Sequence, residues 1–332
     1  MNEFRTVIKL QESDVKISYN SVLLFMGSCF SENIGEKFTE RRFGTMVNPF
    51  GILYNPVSVK QSVEILLNKS LFDEGMLFEH EGMWHSFYHH SRFSSPDKRK
   101  VIETINRSIV EGHEKLKSAD FLFITFGTSW VYKNVEDESI VANCHKLPAS
   151  KFRRFRLNVD EIVESYSHLL SSLNEFNPDL NIVLTVSPVR HWKDGAHGNQ
   201  LSKSVLLLAI NELVCRFSNV DYFPSYELVM DDLRDYRFYA EDMLHPGSLA
   251  VDYIWDRLEE TYFDSTAKEY VREVEKVIRA VNHRPFNRAG DEYRSFARRE
   301  TERLTNMKRR FPDIDLAEYF KYFKNISQVN LL

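Results

Sequence analysis

Val22-Leu23-Leu24-Phe25-Met26-Gly27-Ser28-Cys29-Phe30 opens with five apolar residues and breaks at a glycine. An unbroken apolar run has no polar face, so it suits a strand at the centre of a parallel sheet covered on both sides. Gly27 lets the chain turn, and a helix is expected from about Ser31 through Ile34 and Phe38.

The same punctuation repeats along the chain. A second strand is expected near Thr45-Met46-Val47, ending in Asn48-Pro49-Phe50-Gly51, and Asn55-Pro56 opens a helix carrying Val59, Val63, Leu66 and Leu67. Residues 76–95 read as a hairpin or long loop rich in aromatics and histidines. A helix over about 97–117 leads to a third buried strand, Phe121 to Phe126, followed by a second insertion over about 130–155. After Asn158 a helix presents Ile162, Val163, Tyr166, Leu169, Leu170 and Leu173 on one face. A fourth strand from Ile182 to Val186 ends at Ser187-Pro188, a helix spans about 199–218, and a short fifth strand from Val220 to Phe223 ends at Pro224. Strands alternating with helices imply a five-stranded parallel sheet with helices on both faces. Ligands then bind outside the carboxyl ends of the strands, where the unusual residues of this chain lie. Two amphipathic helices, about 264–282 and 291–310, carry Arg and Lys interleaved with Glu and read as a helical extension with a solvated face.

Composition excludes several classes. In 332 residues, 43% are hydrophobic and 27% charged, which is neither disordered nor collagen-like. A net charge of −5 gives no general reason to bind nucleic acid. Cys29, Cys144 and Cys215 make no disulfide framework and fit a reducing compartment. The start MNEFRTVIKLQESD lacks the apolar stretch of a signal peptide, and no run approaches the roughly 18 apolar residues of a membrane span. A soluble, cytoplasmic protein without membrane association is expected.

Two segments carry chemistry. Cys29 follows the glycine turn at a helix start, where the helix dipole and main-chain N–H groups favour negative charge. Alone, a cysteine there reads more readily as a small buried hydrophobe. Asp242-Met243-Leu244-His245-Pro246-Gly247 follows the last strand, and an aspartate three residues before a histidine can bond one ring nitrogen while the other faces a nucleophile. His85, His89 and His90 among aromatics, and His191 after the fourth strand, form a candidate cleft wall. No Cys2His2 or His-Glu-x-x-His spacing occurs, so no metal is expected. Cys215, beside Leu213 and Val214, reads as core.

These residues resemble a known family. Residues from about 20 to 262 look like the GSCFA family, named for its Gly-Ser-Cys-Phe motif. The matching segments are Gly27-Ser28-Cys29-Phe30, Asn48-Pro49-Phe50-Gly51 with Tyr54-Asn55-Pro56, Gly127-Thr128-Ser129-Trp130, Asn143-Cys144-His145-Lys146, Ser187-Pro188-Val189, and Tyr239 to Pro246. The family is similar to SGNH (GDSL-type) hydrolases, which implies a flavodoxin-like three-layer α/β/α fold and an ester hydrolase needing no cofactor. Laid on the four SGNH blocks, Cys29 takes the nucleophile position, with Ser28 beside it as a rival or substrate contact. Asp242 and His245 complete a triad. Gly51 takes an oxyanion position, and Ser129 stands where the family has an asparagine donor. Asn143 and His145 are candidate replacement donors. His85, His89, His145 and His191 are assigned to the substrate. The implied partner is a small acyl ester or O-acylated carbohydrate. The rival reading is a non-catalytic carbohydrate or metabolite binder on a hydrolase scaffold. Two domains are expected, 1–262 and 263–332, with the C-terminal helices able to mediate homo-oligomerisation.

Overall fold

A computed structural model describes residues 6–287 and 290–328. Its central sheet consists of β1 (Val22–Gly27), β2 (Gly44–Val47), β3 (Phe121–Phe126), β4 (Asn181–Val186) and β5 (Val220–Tyr222). The strands lie parallel in the order β5-β4-β3-β1-β2. Counted from the start of the chain this is the 2-1-3-4-5 order of flavodoxin-like sheets, whose switch point lies between β1 and β3. Gly27 pairs with Thr125 and Phe126 with Val186, which brings the ends of β1, β3 and β4 to one edge.

Helices flank the sheet: α1 (Cys29–Glu40), α2 (Pro56–Asn68), α3 (Lys98–Lys117), α4 (Val159–Phe176), α5 (Gly195–Arg216) and α6 (Ser248–Tyr262). Leu24, Met26, Leu122, Ile124, Ile182 and Leu184 share one core with Val63 of α2, Ile105 of α3, Tyr166 of α4 and Ile210 of α5. Fully burying each such side chain contributes about 1.5–3 kcal/mol. On the opposite face Phe25 stacks on Phe123 at 4.7 Å, and α1 approaches so closely that a Cβ on Gly35 would lie 2.6 Å from a Val47 methyl.

The caps are those the sequence predicts. Asn55 accepts from the Ser58 N–H at 2.8 Å to start α2, and Asn158 with Glu161 forms a reciprocal capping box on α4. The helix expected from 199 begins earlier, at Gly195, because Gly198 and Gly195 disguise a first turn of low intrinsic propensity. The first insertion is a hairpin, Phe78–His80 with Met83–His85, whose Glu81 and Gly82 both take positive φ as a two-residue turn requires. The second is a three-stranded antiparallel sheet of Trp130–Asn134, Ile140–Val141 and Phe152–Arg156.

The chain divides into two compact units. One, holding the parallel sheet, takes the segment ending at Leu10 with Val22–Glu36 and Thr45–Leu258. The other takes Gln11–Ser21, Lys37–Gly44 and the chain from Glu259 onward, so it is not made of C-terminal residues alone. Its helices are α7 (Ser265–Asn282), α8 (Asp291–Arg310) and α9 (Ala317–Gln328), the last not foreseen from the sequence. Tyr270 of α7 packs edge-on against Phe311 at 5.2 Å, and the Arg41 guanidinium bonds Glu275 at 2.7 Å. No helix among the described residues is long and apolar enough to cross a membrane.

Candidate active site

The exit of β1 fixes Cys29. Gly27 has φ of +132°, and a Cβ there would sit 2.2 Å from the Thr125 carbonyl oxygen, so only glycine fits beside β3. The Gly27 N–H donates to Asn48 Oδ1 at 2.9 Å, and the Gly27 carbonyl accepts from the Leu53 N–H at 2.8 Å. The next residues turn directly into α1, whose first residue is Cys29. Burial pushes the Cys29 thiol pKa up, and the Glu32 carboxylate adds to this. The main-chain N–H groups of Phe30 and Cys29, and the positive charge of Lys203, act in the opposite direction.

The loop after β5 builds a second element from its own sequence. Asp242 Oδ1 accepts from the main-chain N–H groups of Leu244 and His245 at 2.9 Å each, while Met243 takes the left-handed φ of 60° that this turn requires. Asp242 Oδ2 then lies 2.5 Å from His245 Nδ1. Those donors hold the Asp242 carboxyl down at about 2, the two N–H groups contributing most. An ionised carboxylate fixes the proton on Nδ1 and leaves Nε2 as the acceptor nitrogen. The Arg190 N–H donates to the Leu244 carbonyl at 3.3 Å, tying the loop to the segment after β4.

His245 lines a cavity of about 360 Å³ together with Tyr54, Thr128, Trp130, Arg190 and His191. The Tyr54 and His191 rings meet edge-on at 5.8 Å. Burial raises the Tyr54 phenol pKa, followed by the charges of Cys29 and Glu32; Tyr54 lines the cavity with His245, whereas Cys29 does not line it. Cys29 makes no hydrogen bond to His245. Burial, and then the charge of Lys203, hold His191 neutral with a pKa of about 4.

Several residues assigned from the sequence are occupied elsewhere. The Gly51 N–H donates to the Asn48 carbonyl at 2.7 Å, so it has no free proton for an oxyanion. Ser129 is fully buried, and both its N–H and its hydroxyl donate to Ser202 Oγ, at 2.8 and 3.1 Å. Asn143 Oδ1 accepts from the His145 N–H at 2.9 Å, a bond that leaves its amide N–H donors unused. Ser28 is buried, and its Oγ accepts from the Phe30 N–H. His89 stacks on Phe50 at 4.6 Å and pairs with Ser86 Oγ at 2.9 Å, and His145 Nε2 meets the Ser86 carbonyl at 2.8 Å. His85 packs its ring 4.5 Å from that of His145. These three histidines build the interior of the hairpin region, where burial lowers the pKa of His89 to about 3 and of His145 to about 4. His191 alone of the four assigned histidines lines the cavity.

Lys203 of α5 was missed by sequence reasoning. It is fully buried, and its amino group donates to the carbonyls of Gly127 and Ser187 at 2.6 Å each, the residues that follow β3 and β4. Burial, then the charge of Arg190, pulls its pKa down to about 7. Among the described residues no group of three or more His, Cys, Asp or Glu side chains is placed to hold a metal ion.

Comparison with known proteins bears on this arrangement. The GSCFA family profile matches residues 22–258, and the profile described as "GSCFA domain protein, C-terminal domain" matches residues 274–328. No curated protein matches the chain. A solved structure described as "The structure of a putative platelet activating factor from Streptococcus pneumonia" is 13% identical, with a TM-score of 0.37, over 73% of this chain and 83% of that one. With the first profile spanning the whole parallel sheet and both segments that carry Cys29 and His245, the chain belongs to the GSCFA family.

Proposed function

We propose that this protein is a hydrolase of ester bonds, with Cys29 as nucleophile, His245 as general base and acid, and Asp242 orienting His245. The observation that carries the reading is the 2.5 Å Asp242–His245 bond on the edge of a cavity at the carboxyl ends of β3 and β4. A carboxylate–imidazole pair that frees Nε2 is what a general base requires. Cys29 stands at the start of α1, and the N–H groups of Cys29 and Phe30 favour its thiolate.

In this reading Sγ of Cys29 bonds to the ester carbonyl carbon while the thiol proton passes to His245 Nε2. The C–O bond to the alcohol breaks, and His245 returns the proton to the leaving oxygen. Water then attacks the thioester, again losing a proton to His245, and releases the carboxylic acid with the thiol restored. The Gly51 and Ser129 donors are spent and the Phe30 N–H donates to Ser28 Oγ, so the Cys29 main-chain N–H and the Asn143 amide are the groups left to hold the oxyanion.

The same spent donors, with the raised Cys29 pKa, favour a second reading, a binding protein on a hydrolase scaffold. Short-chain aryl esters offered to wild type, Cys29→Ala and His245→Ala separate the two. The hydrolase reading expects turnover that falls on the order of 10²-fold or more in both variants. Equal rates in all three proteins leave only binding.

A further inference from the structure

Arg190 occupies an unusual position at this site. It lines the 360 Å³ cavity beside His245 and also a second cavity, about 510 Å³, lined by Trp192, Tyr239, Asp242 and Met243. Arg190 and Trp192 line both cavities, while Asp242 lines the larger and His245 the smaller. Among the described residues the Arg190 guanidinium has no carboxylate partner; it lies 5.9 Å from the centre of the Trp192 ring. Its Nε is buried without a hydrogen bond, and its Nη1 reaches only the Met230 sulfur at 3.9 Å, a weak acceptor.

Every other Lys or Arg lining either cavity has an oxygen partner, although Arg154 Nε, like Arg190 Nε, is buried without one. Arg154 pairs with Asp194, Arg234 with Asp231 at 2.8 Å, and Lys193 bonds the Tyr132 hydroxyl at 2.9 Å. Among the described residues, Arg190 is thus the cavity cation left without an oxygen acceptor. A partly buried guanidinium with an unpaired N–H is costly to keep unless something completes it, and its planar fork matches the two oxygens of a carboxylate or phosphate. The surrounding Trp192 and Tyr239 offer flat apolar faces on which a ring or chain can lie.

We propose that Arg190 is the recognition residue for an oxyanion, carboxylate or phosphate, carried by the molecule that enters the cavities it lines. On the hydrolase reading, on which this deepening rests, the substrate is an anionic ester whose charged group lies on Arg190 while its carbonyl faces Cys29 and His245. Trp192 and Tyr239 cover the apolar part joining the two.

Binding is the decisive measurement, because it needs no turnover. Benzoate and phenyl phosphate are titrated calorimetrically into wild type, Arg190→Gln and Arg190→Lys, with melting curves verifying that each variant is folded. Wild type is expected to bind at least one of the two anions, and the pair tells carboxylate from phosphate. Arg190→Gln is expected to weaken it about 10–100-fold, and Arg190→Lys to recover part of the loss. Unchanged affinity in folded Arg190→Gln, or no binding of either anion by wild type, overturns the proposal. Aryl esters with and without a carboxylate are then compared in wild type. Arg190-dependent anion binding without hydrolysis of any ester keeps the proposal and removes the hydrolase reading. Hydrolysis with Arg190-independent binding does the reverse.

Discussion

The Lys203 amino group donates to the Gly127 carbonyl at 2.6 Å, and so joins the middle of α5 to the turn that follows β3. A second 2.6 Å bond reaches Ser187 after β4. A neutral amine has two N–H groups, enough for both carbonyls, so shedding the third proton breaks neither bond. Burial drives this, bringing the pKa to about 7 against about 10.4 in an unfolded chain. Between pH 7 and 10 the unfolded chain therefore binds more protons than the folded one, and stability rises with pH. The stability of wild type relative to Lys203→Met is expected to rise between pH 7 and 9.5 by about 3 kcal/mol. Urea unfolding of both proteins at the two pH values reads it, and a constant difference would show that Lys203 stays charged throughout.

The placing of Lys203 shows where sequence reading reached and where it stopped. The five strands, the caps at Asn55 and Asn158 and the Asp242–His245 loop are local: each follows from a few neighbouring residues, and each was legible. Lys203 lies three, seven and ten residues before Leu206, Ile210 and Leu213, on the stripe that α5 buries, yet a lysine in a helix reads by default as solvated. The partners that make its burial tolerable, Gly127 and Ser187, are far away in sequence and invisible until the sheet forms. The same holds for Ser129, whose donors are consumed by the distant Ser202, whereas Gly51 spends its N–H on Asn48 three residues back, in a local turn. A motif position specifies where a residue stands in the chain but not which acceptor takes its proton. Arg190 had a usable signal, since it directly follows Ser187-Pro188-Val189 at a strand end.

Cys29 should behave as a buried thiol in the resting protein. Its pKa is raised chiefly by burial, so the thiolate is scarce at pH 7 and increases about tenfold per pH unit. In a Cys144→Ala, Cys215→Ser background, iodoacetamide is expected to modify the protein with a rate that climbs through pH 9 without levelling. A plateau near pH 7 would mean that Lys203 and the α1 N–H groups outweigh burial.

Acid should weaken the protein through its buried histidines. His89 and His145 titrate at about 3 and 4 when folded, against about 6.5 unfolded. Their neutral forms are retained above pH 6.5 at no cost. Between about pH 6.5 and 4 the unfolded chain takes up protons that the folded chain does not, and stability is lost as pH falls. With His191, also held near 4, three such groups give a slope near pH 5 of roughly 4 kcal/mol per unit. Unfolding free energies at pH 5.5 and 4.5 measure it, and His89→Gln is expected to lower the slope by about a third. An unaltered slope in that variant would assign the acid sensitivity to other groups.

Asp242→Asn tests what the carboxylate does for His245. The asparagine oxygen can still accept from the Leu244 and His245 N–H groups, which preserves the turn. Its amide nitrogen, however, would face Nδ1 across the 2.5 Å contact that a carboxylate now makes. Two donors cannot share that space, so the imidazole proton is forced onto Nε2, and the nitrogen that would receive the thiol proton is lost. On the hydrolase reading kcat falls on the order of 10³-fold or more, with circular dichroism unchanged. Nitrogen-15 shifts of the His245 ring report the tautomer independently of any substrate. If Nδ1 remains protonated in the variant, the carboxylate does not set the tautomer; if the tautomer switches and kcat holds within tenfold, His245 is not the base.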